Sequence, residues 1–156
     1  MNTLCRAALM AVLAALASGF SAVPGAAGNS HCEPVGGTVF TNFVDPPTNA
    51  LGPVSGDLPG AVSVQILAIN GNVYHIRKHF VTTSGDTMTV ADTDFTTYPT
   101  SVSGLAAATE PMTITGGTGR FDGATGSVTF FGAINGDGEV MLRYSGTVCF
   151  PKVKEP

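Results

Sequence analysis

The sequence predicts an all-β fold: an antiparallel sheet of about eight strands, closed as a barrel or packed as a sandwich. Three observations carry this expectation. Short β-rich runs alternate with Gly, Pro and Asn-Gly turn signals, and the chain of 156 residues contains 20 glycines and 10 prolines. No long helical period interrupts them. After Cys5, the remaining cysteines are Cys32 and Cys149, one near each end of the chain. A bridge between them requires the first and last strands to be neighbours, as they are in a closed barrel.

Residues 1–27 read as a leader that is not part of the fold. Arg6 is the lone charge before an apolar run from Ala7 to Ala17, and small residues lead to Gly25-Ala26-Ala27. That order is the pattern of a removable secretory signal peptide, with an apolar stretch too short to span a bilayer. Cys5 lies before the apolar run, which is the wrong place for a lipoprotein anchor. The expected mature protein is exported, with no membrane span. In an oxidising compartment Cys32 and Cys149 pair, and the bridge is structural rather than catalytic.

The mature chain divides into a lead-in over residues 28–37, one barrel domain over 38–150 and a tail over 151–156. Thr38–Val44 reads as the first strand, followed by a proline-broken loop from Asp45 to Pro59. Ala61–Ile69 and Val73–Thr83 flank Asn70-Gly71, a strong hairpin signal. Ser84-Gly85-Asp86 turns the chain into Thr87–Thr97, a threonine-rich strand with one polar face. Pro99–Pro111 is ambiguous, because Leu105-Ala-Ala-Ala suits a helical turn or a short strand. Met112–Thr115, Ser127–Ile134 and Val140–Phe150 complete the strands, with Asn135–Gly138 turning between the last two. Gly56–Ala61 and Gly119–Ala124 share a Gly-x-apolar-x-Gly-Ala frame. In each, glycine permits a tight connection while Leu58 or Phe121 plugs the adjacent core.

The most distinctive stretch runs from Ile114 to Ser127 (ITGGTGRFDGATGS). Its Gly116, Gly117, Gly119, Phe121, Gly123 and Gly126 resemble the glycine-rich segment shared by plant allene oxide cyclases and dirigent proteins. The stretch is especially similar to bacterial secreted proteins grouped as allene oxide cyclase barrel-like. Gly56-Asp57-Leu58 also resembles an element of the cyclases. The resemblance implies a calycin-like, eight-stranded antiparallel barrel with an apolar cavity open at one end, and a dimer or trimer. It also implies an activity, in which the cavity folds or orients a reactive substrate. The cyclase glutamate has no counterpart in Thr38–Val44, and neither Glu33 nor Asp45 aligns with it, so cyclase activity is not carried over.

Several chemistries are excluded or weakened by the residues themselves. A formal net charge of −4 and a pI near 5.1 disfavour nucleic acid, which selects cationic surfaces. The glycine loop lacks the third glycine and the following helix of a dinucleotide site. His75 and His79 have helical ligand spacing, but on a strand they stand roughly 13 Å apart, too far for one metal ion. Asp92-x-Asp94 lacks the glycine and distal glutamate of a calcium loop. No cofactor is implied.

Candidate ligand-binding residues follow from strand alternation. His75, Arg77 and His79 share one face, and Tyr74, Ile76 and Phe80 the other. The first set is either a solvated face or a polar lumen in which a histidine beside an arginine acts as a base. Arg143 and Tyr144 lie on opposite faces of the last strand, and Tyr98 sits at a strand end. Whichever of these points inward can contact a ligand carbonyl or carboxylate. Three functions fit: a secreted barrel holding a small apolar ligand without chemistry, a cofactor-independent cyclase or isomerase that templates its substrate, and an interaction module acting through Asp45–Pro59.

Overall fold

The computed structural model describes residues 30–151, and within them the chain is almost entirely strand. The expected signal peptide over 1–27 and the tail beyond Pro151 lie outside the described residues. The strands are β1 (Ser30–Asp45), β2 (Asn49–Gly56), β3 (Gly60–Asn70), β4 (Val73–Thr82), β5 (Thr87–Val90), β6 (Thr93–Pro99), β7 (Leu105–Gly117), β8 (Thr125–Asn135) and β9 (Val140–Pro151). A single 3-10 turn, Gly119–Phe121, separates β7 from β8. All pairings are antiparallel, and β3 pairs with both β2 and β4, so the sheet closes on itself. β5 and β6 both pair with β4 on one side and β7 on the other. They are two halves of one stave, and the nine segments make the closed eight-stave barrel.

Cys32 and Cys149 are direct cross-strand partners of β1 and β9 and form a disulfide across 117 residues of chain. Inward positions alternate with them on both strands: Val35, Val39 and Thr41 on β1, and Leu142, Tyr144 and Val148 on β9, are buried. The bridge therefore lies on the outer wall.

Four boundaries differ from the sequence expectation, each because of the strands that pair there. The expected single strand Thr87–Thr97 breaks at Ala91–Asp92 into β5 and β6. β1 begins at Ser30, not Thr38, because residues 30–37 pair with the end of β9. The stretch Asp45–Pro59 is not a long loop. After a turn with a cis Pro46–Pro47 bond, it contributes β2, including Pro53. Pairing of β2 with β1 lapses at Gly52 and Pro53, so the missing N–H of proline falls in a gap of the ladder. Of the ambiguous stretch Pro99–Pro111, the part from Leu105 onward is strand and forms the first half of β7. Pro111 sits opposite the interruption between β5 and β6, where its carbonyl accepts a hydrogen bond from Thr93 Oγ1. Amide and carbonyl of one strand residue face the same side, so no ladder bond is lost there.

The barrel has a closed half and an open half. Leu58, Phe80, Met88, Met112, Val128 and Phe130 fill the closed half and leave no void. The glycine-rich connection caps it. Phe121, from the 3-10 turn, is fully buried and packs on Phe150 with ring centroids 5.8 Å apart. Gly119 has φ +57 and lies against the Asp86 carboxylate, and Gly117 backs onto the Thr87 carbonyl. A Cβ at either position meets both strain and an atom already in place.

Candidate functional site

The opposite end of the barrel holds an apolar cavity of about 50 Å³. It is ringed by the half-buried Phe43, Ile66, Tyr74, Ile134 and Val140, and walled deeper down by Val39, Ile76 and Phe95. The hairpin turns at Asp45–Asn49 and Asn70–Val73 and the longer β6–β7 connection surround this end. Tyr74 meets Phe95 edge-on at 6.0 Å, which fixes the tyrosine ring at the mouth.

Two charges lie at the floor of this cavity. Lys78 on β4 and Glu110 on β7 are buried, with Lys78 Nζ donating to Glu110 Oε2 at 2.5 Å. The ammonium also stands 4.3 Å from the centre of the Phe130 ring, in cation–π geometry. The pair occupies the level of the barrel where β5 has ended and β6 has not begun. It spans, from the inside, the gap in the stave between β4 and β7. On the outside of the same gap, Arg77 makes a two-bonded contact with Asp92 at 2.9 and 2.7 Å. Burial raises the Glu110 pKa above the usual carboxylate range, opposed by the charge and hydrogen bond of Lys78. Glu110 Oε1 is buried without a hydrogen-bond partner. Glu110, which lines the cavity, thus keeps one carboxylate oxygen that no protein donor reaches, and solitary burial of such a group is costly.

The seven residues expected to bind ligand separate clearly. Tyr74 lines the cavity. His75, Arg77 and His79 stand on the outer face, because Ile76, Lys78 and Phe80 take the inward positions of β4. His75 Nδ1 is 2.9 Å from Asp94 Oδ1, and Arg77 is occupied by Asp92. The polar-lumen alternative for these three is corrected accordingly: they form the solvated face. Arg143 is exposed on the outer side of β9, and Tyr98 is 49% exposed. Tyr144 points inward but into the closed half. Its hydroxyl accepts from Leu58 N at 3.0 Å and donates to Ser55 O at 3.1 Å, tying β9 to the β2–β3 connection. Burial of that hydroxyl raises its pKa, with the Leu58 N–H acting in the opposite sense.

Lys78 and Glu110 were missed by sequence reasoning, although a signal existed for each. Lys78 continues the inward alternation of Tyr74 and Ile76 toward Phe80, so a charge stood on an apolar face. Glu110 sits between Ala108 and Met112 in the same way, once the strand phase of β7 is known. Among the described residues, no group of three or more His, Cys, Asp or Glu side chains is arranged to hold a metal ion. No helix there is long and apolar enough to cross a membrane.

No family model matches the sequence, and no curated protein matches it. Among solved structures, the chain is similar to the pterocarpan synthase dirigent protein GePTS1. The alignment covers 81% of this chain and 89% of that one, at 14% identity and a TM-score of 0.36. Similarity of that degree carries no argument about activity, and the functional reading rests on the cavity itself.

Proposed function

We propose that this protein is a secreted barrel that binds a small apolar ligand in its open half. The observation that carries the reading is the unpartnered Glu110 Oε1 at the floor of an apolar cavity. A carboxylate oxygen in such surroundings gains from a ligand group that completes its hydrogen bonding. The volume limits what enters. About 50 Å³ is well below the several hundred Å³ of sites that enclose a drug-sized molecule, so only part of a larger ligand fits inside. Export is part of the proposal. It is supported by the charge-then-apolar leader at residues 1–27 and by the Cys32–Cys149 bridge, which suits an oxidising compartment.

The test is native mass spectrometry of the exported protein before and after incubation with a lipid and polyketide extract. A reproducible mass excess, released on unfolding, supports the reading. A bare polypeptide mass in both samples overturns it. N-terminal sequencing of the same material tests export, with a mature chain starting at Gly28 as the expected result.

A second reading, a cavity-templated cyclase or isomerase, is favoured by one observation. Glu110 is a carboxylate with a raised pKa beside an apolar cavity, the setting in which such groups exchange protons with substrates. Conversion of the captured molecule, with wild-type rate lost in Glu110→Gln while capture persists, is the outcome that selects this reading over binding alone.

A further inference from the structure

A second concavity adjoins the cavity at the rim. It is a surface groove of about 410 Å³ between the β6–β7 connection and the end of β8, with Val102, Leu105, Ala106 and Ile134 among its walls. Tyr74 and Ile134 line both the groove and the inner cavity, so these two side chains are their shared wall. Strand β7 runs from one to the other: Glu110 marks the cavity floor and Ala106 the groove, roughly 13 Å apart along a strand. The inner space admits only the tip of a molecule, and the groove offers room for the remainder.

The charges at the floor restrict that tip. Lys78 is already matched by Glu110, so the cavity has no net charge to offer a ligand. An anionic tip would face the free oxygen of Glu110, and a cationic tip would place two cations on one carboxylate in an apolar setting. An apolar tip leaves Oε1 unpaired. An uncharged donor satisfies it at no electrostatic cost.

We propose that cavity and groove form one composite site for an elongated, uncharged, apolar molecule that ends in a hydrogen-bond donor such as an alcohol. The tip donates to Glu110 Oε1, the chain passes Tyr74 and Ile134, and the body lies along the groove. This rests on the reading of the cavity as a ligand site and adds the chemical class and the path of the ligand.

The experiment titrates the disulfide-bonded protein with 1-decanol, methyl decanoate, decanoate and 1-butanol. It is followed by calorimetry and by the methyl signals of Ile76 in the cavity and Ile134 on the shared wall. The expected result is that 1-decanol binds tighter than the ester by about tenfold, the scale of one hydrogen bond to a charged acceptor. Decanoate binds more weakly than the alcohol, and 1-butanol, which cannot reach the groove, is also weaker. The double variant Lys78→Met/Glu110→Leu keeps an apolar floor without leaving a charge unpaired. It should bind alcohol and ester alike. Val102→Glu, at an exposed groove position, should weaken 1-decanol and leave 1-butanol unchanged. Equal binding of alcohol and ester by the wild type, with Ile76 still perturbed, overturns the donor assignment and leaves the cavity reading standing. Binding of 1-decanol that is unaffected by Val102→Glu overturns the path along the groove. If none of the probes perturbs Ile76, the composite site is refuted, while a mass excess in the exported protein still upholds the cavity.

Discussion

A lysine and a glutamate facing each other inside a barrel filled mostly by apolar side chains set the energetics at the scale of the residue. Removing either partner alone leaves the other charged and enclosed. Lys78→Met and Glu110→Leu should each destabilise the fold by about 3–5 kcal/mol, whereas the double variant should fall near the wild type or above it. Urea denaturation of the three proteins checks this, and additive losses in the double variant would refute it. The same pair gives a pH dependence with a definite sign. Burial raises the Glu110 pKa in the fold, so over a window above the ordinary glutamate range the native state holds a proton that the unfolded chain has released. Stability should fall as pH rises through that window, and the double variant should lack this component of the slope. Tyr144 illustrates the neutral case. Tyr144→Phe strands the buried Leu58 N–H and should cost about 1–3 kcal/mol. At this scale sequence reasoning found the right strand and its two faces, and left open which face points inward. Alternation placed His75, Arg77 and His79 together and opposite Tyr74, Ile76 and Phe80. What it could not supply was the cross-strand partner that makes a buried Lys78 tolerable, because Glu110 is 32 positions away on β7.

At the scale of the element, the strands with clear alternation and clear turns were legible: β3, β4, β8 and β9 lie close to where the sequence places them. β2 and β7 were obscured by proline. Pro53 and Pro111 are compatible with strands only because the neighbouring ladders lapse beside them, and those lapses depend on partners far along the chain. The single run Thr87–Thr97 is split at Ala91–Asp92, and that break separates the two halves of one stave. The glycine-rich connection was read correctly as a plug with Phe121 at its centre. Its glycines are needed for backbone reasons. Gly119→Ala should destabilise by about 1–3 kcal/mol, since alanine would be held at φ +57 and against Asp86. A thermal melt unchanged from wild type would refute this account of the plug.

At the scale of the whole molecule, closure depends on pairing β1 with β9, the two strands farthest apart in sequence. The disulfide across 117 residues restricts the unfolded chain, and removing it should cost about 2–5 kcal/mol. Comparing denaturation of the Cys32→Ser/Cys149→Ser variant with the oxidised protein measures this, and equal midpoints would refute it. The location of that seam also gives the barrel a direction. Ser30 is paired with Pro151, and Pro151 lies beside Gly123 of the plug, so both described ends of the chain leave from the closed side. A solid support attached at Ser30 or Pro151 would therefore sit behind the barrel, with the opening pointing away from it. Held at Ser30 or at Pro151, the barrel should present the mouth of its cavity to solution in the same orientation.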